Sequence, residues 1–362
     1  MQLFDVAPLT HAPSLQDRFV VPPFTVLDTK QGYWQERRSE WLRWGIRSEL
    51  GRNQNLLNYS SATKLQSSTG AMRDSTSIFD PVLCEIAYRW FSPPAGRVLD
   101  PFAGGSVRGL VAHRLGRAYT GVDLSAEQIA ANAANAADVG CDPPPRWLCG
   151  DSRDVIALAG PGPYDFLLTC PPYAYLEQYS DDPADLSSLD YPEFLEQYRS
   201  ILAAACSLLK PDAFAVLVVS EVRDRKTGDY LGFVPDTIAA MRDAGLAFHN
   251  EAILVNSAGS LPIRAARNFP PTRRLGRMHQ NVLVFANGSP RAAADACGPV
   301  VIDALGWGDA LELAPPPAVD PPPLLLEDLE LEPFPVPAMY AEIGIADPDP
   351  AWDDDADEMR LF

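Results

Sequence analysis

The chain has 362 residues, 47 % of them hydrophobic, enough for one large α/β domain or two smaller ones. Its net charge of −19 argues against a surface that attracts nucleic acid everywhere. Six cysteines with no CxxC pair and four scattered histidines argue against a structural zinc site, and no metal is expected. No apolar run approaches a membrane span, and the start MQLFDVAPLTHAPSLQDRF lacks signal-peptide anatomy, so the chain is expected in the cytoplasm with reduced thiols and no membrane contact.

The charge is uneven. Residues 289–362 hold 17 acidic and 2 basic residues, so the first 288 carry a net of only −4. Local patches therefore decide the question of nucleic acid.

In chain order, residues 1–30 are Pro-rich and expected to be extended. Residues 31–52 read as an amphipathic helix with Trp34, Trp41 and Trp44 near one face and Arg37, Arg38, Arg43 and Arg47 between them. A packed cap helix is one reading of it and a nucleic-acid contact is the other. Residues 53–77 are a Ser/Asn/Thr-rich loop.

From about 78 the pattern alternates. FDPVLCEIAYRWF is a helix and GRVLDPF a strand; VRGLVAHRLG is a helix and AYTGVDL a strand. AEQIAANAANAADVG is a helix opened by the capping pattern Ser125-x-x-Gln128. RWLCGD and YDFLLTC are strands, YPEFLEQYRSILAAACSLL a long helix and FAVLVVSEV a strand. VPDTIAAMRDAGL is a helix, and FHNEAILV and MHQNVLVFA close the series as strands. This rhythm predicts a Rossmann-like α/β fold, a mostly parallel sheet with helices on both faces, closed by two consecutive strands of which one is antiparallel. Beyond 289 the chain is Pro- and Asp-rich and reads as a disordered tail, whose islands LLLEDLELEPF and MRLF offer docking segments for a protein partner.

Three strand ends carry acids. Asp100 ends the first, followed by Pro, Phe102, Ala and the Gly104-Gly105 turn. Glycine lets the backbone approach a ligand closely. There is no GxGxxG and no phosphate-loop lysine, so the acid suits a cationic amine better than a pyrophosphate. Asp123 ends the second strand, where a carboxylate accepts ribose hydroxyls. Asp151 ends the third, where an adenine edge lies. Each acid alone is a common turn former. Together they describe a site for an adenosine with an ammonium group, which is S-adenosyl-L-methionine (SAM).

DPFAGG, GVDLS, GDSRD and TCPPY in this order resemble the DNA amino-methyltransferases, which modify N4 of cytosine or N6 of adenine. The resemblance covers residues 72–288 and is most specific in the pairing of DPFAG with CPPY. PPFTVLD, GYWQERRSEW, GSLPIRAARNF and RRLGRMHQNVLVF are similar to bacteriophage and prophage members, which links the chain to DNA methylation and restriction–modification. The resemblance implies a Rossmann-like SAM-dependent methyltransferase fold, with an N-terminal extension over 1–77, the methyltransferase domain over 78–288 and the tail over 289–362. It implies that Asp100, Phe102, Gly104, Gly105, Asp123 and Asp151 bind the cofactor. Cys170, Pro171, Pro172 and Tyr173 would hold a base flipped out of the duplex, with Tyr173 stacked on it and Cys170 and the Pro171 carbonyl accepting its amino hydrogens.

The pattern departs at Cys170, where the family carries Asp, Asn or Ser, and at Gly104-Gly-Ser-Val107, where Gly-Ser-Gly-Thr is usual. A thiol has the shape of serine but accepts weakly. It leans toward a cytosine-N4 site and leaves the base open. A nucleophilic cysteine would mean C5-cytosine chemistry, but in that family proline precedes the cysteine.

Residues 252–294 hold six arginines and no acid. Proline, glycine and asparagine predict a basic recognition loop over 256–280, with Arg264, Arg267, Arg273, Arg274 and Arg277 on DNA phosphates and guanines. Pairing of these arginines with the acidic tail is the alternative. An RNA or tRNA base methyltransferase and a nucleic-acid-binding homologue without catalysis are the rival functions. The oligomeric state, the recognition sequence and a partner nuclease are not fixed by sequence.

Overall fold

A computed structural model describes residues 14–47, 79–173, 185–224, 226–259 and 261–302. The expected loop at 53–77, most of the acidic tail and the stretch 174–184 lie outside the described residues.

Among the described residues, eight strands form one sheet: β1 (Val26–Asp28), β2 (Arg97–Asp100), β3 (Ala118–Asp123), β4 (Arg146–Cys149), β5 (Tyr164–Thr169), β6 (Leu209–Val219), β7 (Ala247–Val255) and β8 (His279–Asn287). Their order is β1-β7-β8-β6-β5-β2-β3-β4. Every neighbouring pair is parallel except those of β8, which runs antiparallel to both β6 and β7. This is the expected fold class, including the antiparallel closing strand.

Ten helices among the described residues accompany the sheet: α1 (Leu15–Phe19), α2 (Gly32–Arg43), α3 (Pro81–Phe91), α4 (Val107–Arg114), α5 (Ala126–Asp138), α6 (Val155–Ala159), α7 (Tyr191–Ser207), α8 (Phe233–Asp243), α9 (Leu261–Thr272) and α10 (Pro290–Cys297). Two short 3-10 turns lie at Ser152–Asp154 and Leu186–Ser188. Strand side chains alternate between two cores, as the pleat requires. Val98, Phe166, Leu168, Val216, Val218 and Val284 pack with α2, α3, α4 and α10. Leu99, Leu167, Leu217, Val219, Leu283 and Phe285 pack with α6, α7 and α8.

The N-terminal stretch differs from the extended chain expected of it. Ser14 caps α1, accepting from Asp17 N–H. Val26–Asp28 then adds a parallel strand to the edge of β7, with Thr29 donating from both its amide (3.1 Å) and its hydroxyl (2.9 Å) to the Val255 carbonyl. Prolines at 22 and 23 keep the chain from starting earlier as a strand.

The Trp/Arg helix α2 is a packed cap. Trp34 and Trp41 are 0 % exposed. Trp41 Nε1–H donates to Glu85 Oε2 at 2.7 Å, and Arg37 and Arg89 both pair with the same carboxylate, at 2.6 and 2.7 Å. Glu85 lies fully buried in α3. Burial alone would raise its pKa, but the two guanidiniums and the indole hold it below the ordinary glutamate value. Arg37 and Arg38 thus serve the fold, Arg38 lying 3.8 Å from Asp80.

The tail boundary also moves. Residues 290–297 form α10, with Pro290 in the first turn and Ser289 accepting from Ala292 N–H at 3.3 Å. Ala293 and Cys297 are buried, and Arg89 Nη1 donates to the Val301 carbonyl. Packing onto the body therefore continues past residue 289, where a capped alanine-rich turn outweighs the proline content that suggested a tail.

Candidate active site

The site lies along the carboxyl ends of β2, β3, β4 and β5. Asp100 closes β2 and is fully buried. Its Oδ1 accepts from Phe102 N–H (3.1 Å) and from the Thr169 hydroxyl (2.7 Å). Its Oδ2 accepts from Arg108 Nε (2.6 Å) and the Tyr119 hydroxyl (2.7 Å). Asp100 was expected to meet a ligand ammonium. Instead Arg108 of α4 supplies the positive charge. Burial works against that charge, but the Asp100 carboxylate prevails and raises the guanidinium's pKa. Arg108 Nη2 also donates to the carbonyls of Phe102 and Ala103, at 2.6 and 2.9 Å. The network sets the shape of the DPFAGG turn and ties it to Thr169, the residue before Cys170.

Gly104 has φ +50°, a left-handed conformation that explains glycine here. Its amide donates to Asp123 Oδ2 at 2.8 Å, and its carbonyl accepts from Asn132 Nδ2 at 2.7 Å. Asp123 Oδ1 accepts from Ser125 N–H at 2.8 Å. A carboxylate oxygen accepts more than one hydrogen bond, so ribose hydroxyls can share this group. Gly121 is required by packing: a Cβ there would lie 2.8 Å from the Ala103 Cβ and 2.6 Å from the Tyr119 hydroxyl. Asp151 accepts from Arg153 N–H at 2.8 Å and pairs with the Arg153 guanidinium. Burial opposes its ionisation, but these partners prevail and lower its pKa. The neighbouring Ser152 hydroxyl donates to the Pro101 carbonyl, which fastens the end of β4 to the turn after β2. Gly105 comes next to Gly104 in the same turn, ahead of α4.

Beyond β5 come Cys170, Pro171, Pro172 and Tyr173. Tyr173 is only 5 % exposed. Its hydroxyl accepts from Gln280 Nε2 at 3.2 Å and lies 3.7 Å from Cys170 Sγ. Its ring meets Phe233 edge-on at 5.9 Å. Phe233 continues to Tyr198 (5.3 Å), and Tyr198 to Phe102 (6.2 Å). A row of four rings thus lines the floor between the Gly turn and the Pro-Pro corner. Tyr198, Phe233, Arg108, Thr169 and Gln280 were not anticipated. Arg108 had a signal, a lone charge in the apolar run VRGLV, which burial obliges to find a partner.

About half of the expected basic loop is a helix. Pro262 sits in the first turn of α9 and Pro270 and Pro271 at its end, positions that interrupt little, while IRAARNF between them keeps helical spacing. Arg267 and Arg273 are exposed, and Arg273 lies over the Phe269 ring at 5.4 Å. Arg264 is half-buried. Arg274 packs on Gly228, where an added Cβ would collide with its guanidinium. Arg277 donates to the His279 carbonyl (3.2 Å) and to Asn281 Oδ1 (2.6 Å). Two of the five arginines are therefore placed to meet a partner from solvent, and Arg274 and Arg277 also hold the structure.

Among the described residues no group of three or more His, Cys, Asp or Glu could hold a metal, and no helix is long and apolar enough to cross a membrane.

The sheet order and the antiparallel β8 define a Rossmann-like α/β fold. No family model and no curated protein matches the chain. Similar solved structures include TrmN from Thermus thermophilus, at 20 % identity over 61 % of this chain and 52 % of that one, TM-score 0.40. The chain thus spans about half of TrmN. A methyltransferase from Pyrococcus furiosus is 13 % identical over 63 % of this chain and 96 % of that one, TM-score 0.40. A SAM-dependent methyltransferase from Agrobacterium tumefaciens is 19 % identical over 59 % and 63 %, TM-score 0.38.

Proposed function

We propose that the protein is a SAM-dependent DNA methyltransferase acting on the exocyclic amino group of cytosine or adenine. The observation that carries this reading is the Asp100 carboxylate, which hydrogen-bonds the Gly turn through Phe102 N–H and the Pro-Pro corner through Thr169. One buried charge thus holds the two motifs side by side, on the adjacent strands β2 and β5.

SAM would supply a methyl group on a positively charged sulfur, an electrophile that needs no further activation. The residues present fit it in most respects. The Gly104 turn leaves room for close approach, Asp123 faces the turn as a hydroxyl acceptor, and Phe102 and Asp151 flank it. Asp100 does not fit the role of ammonium acceptor; it supports the turn from below. At the corner, Cys170 and the Pro171 carbonyl accept the amino hydrogens of the base, and Tyr173 forms the inner wall against which the base stacks. The chain's contribution is positioning and exclusion of water. Arg267 on α9 and Arg273 just beyond its end meet the phosphates.

Transfer of a labelled methyl group from SAM to duplex DNA, with tRNA as the parallel substrate, tests the reading. Label in N4-methylcytosine or N6-methyladenine supports it. Label in tRNA alone would replace it with an RNA methyltransferase.

A further inference from the structure

Between β6 and α8 the chain forms a hairpin. Arg223 and Tyr230 pair as an antiparallel bridge, and Leu231 N–H donates to the Val222 carbonyl at 2.8 Å. Tyr230 is 46 % exposed, unusual among the aromatic residues here. The Arg223 guanidinium lies over its ring at 3.9 Å and that of Arg277 at 5.9 Å. Arg223 Nη1 also donates to the Gly228 carbonyl at 2.9 Å, and the Arg274 guanidinium covers Gly228. Asp224 accepts from the Lys226 and Thr227 amides, which directs its charge into the turn, and Asp229 is exposed beside it. Against these two acids stand Arg223, Lys226, Arg274 and Arg277.

The hairpin is fixed to the site. Glu221 Oε1 accepts from the amides of Gly232 and Phe233, at 2.9 and 2.7 Å, and Phe233 is the ring that meets Tyr173. Gln280, three residues after Arg277, donates to the Tyr173 hydroxyl. Two separate connections therefore join the exposed ring to the wall of the Pro-Pro corner.

We infer that the cluster of Arg223, Tyr230 and Arg277 is a nucleic-acid contact, in which the Tyr230 ring stacks on a nucleobase beside the target and the guanidiniums meet its phosphates. An exposed ring beside cations is suited to a strand that alternates flat bases with anionic links. The inference rests on the nucleic-acid reading proposed for the site and extends it to a residue outside the arginine-rich segment.

The test is binding of the full chain to fluorescein-labelled single-stranded DNA, duplex DNA and RNA, followed by anisotropy across a salt titration, with the melting temperature of each variant recorded. Tyr230→Ala is expected to weaken binding about tenfold at fixed salt, with an unchanged log–log salt slope. Tyr230→Phe keeps the ring and should bind like wild type. Arg223→Ala should reduce the slope by about one phosphate contact. Wild-type affinity in Tyr230→Ala, in a protein that does bind DNA, overturns this inference and leaves the function standing. Binding of RNA instead of DNA with the same Tyr230 dependence supports the contact and overturns the DNA substrate. No binding of either nucleic acid overturns both.

Discussion

Asp123 and Cys170 have separate tasks that single substitutions can distinguish. Asp123 fixes the Gly104 amide and is the proposed acceptor for ribose hydroxyls. Asp123→Ala should weaken SAM binding by about 1–3 kcal/mol, read by calorimetry, while a folded protein remains. Unchanged affinity would move the cofactor elsewhere. Cys170 is proposed to hold an amino group rather than attack a ring carbon. Serine keeps the shape and accepts better, so Cys170→Ser should retain or raise methyl transfer. A dead serine variant, together with covalent trapping of the wild type by 5-fluorocytosine DNA, would point to C5 chemistry instead. Tyr173 shows the limit of sequence at this scale: proline fixes the corner's backbone, but the ring's surroundings come from Gln280 and Phe233, which lie far away in the chain.

At the scale of elements, most strands and helices were legible, because period-two runs and capping serines are local signals. Ser125 caps α5 by accepting from Gln128 N–H, as its spacing indicates, while the Gln128 side chain turns forward to Asn132. Five elements were not legible, among them the helices α1 and α6, which have only five residues each. β1 has three residues, too few for a pattern. α9 hides behind its prolines, and α10 behind the Pro- and Asp-rich composition of residues 303–362. The Asp100 network was invisible for another reason: its partners are 8, 19 and 69 residues away in sequence.

Docking of α2 depends on ionised Glu85. A folded pKa held below the unfolded value contributes stability that is complete above the ordinary glutamate range and is lost as pH falls through the folded pKa. Acid titration followed by Trp34 and Trp41 fluorescence should therefore show α2 releasing below about pH 4.5, the ordinary glutamate value. Glu85→Ala should cost about 3–5 kcal/mol at neutral pH, because it strands two guanidiniums. For α9 and the residue that follows it, replacing Arg267 and Arg273 by Ala should weaken DNA binding and lower its salt slope by roughly one unit per lost phosphate contact. Identical slopes would assign these arginines to another partner. Arg274 is a poor choice for this test, since its side chain also covers Gly228.

The whole molecule divides its charge. Residues 303–362 carry 16 acidic residues and one basic one, which leaves the first 302 with a net of −4. A chain ending at Ile302 retains α10 and every described contact. It should keep the melting temperature of the full protein, bind SAM equally and bind DNA of arbitrary sequence more tightly at low salt. The gain should fade as salt rises, since the tail acts by repulsion. A cut at 290 would instead remove α10 from under Arg89, and instability there would say nothing about the tail.

The short β1 strand also bears on the exposed edge of the sheet. It covers the outer rim of β7 only at Ile253, Leu254 and Val255, the part of that strand with the most aliphatic side chains in a row. The uncovered half carries His249, Asn250 and Glu251, which discourage a second chain from adding itself there. A protein trimmed of its Pro-rich start would present backbone donors and acceptors beside three apolar residues, a template for stacking chain upon chain. By pairing with these three residues, β1 covers the part of the β7 rim best suited to pairing with a second chain.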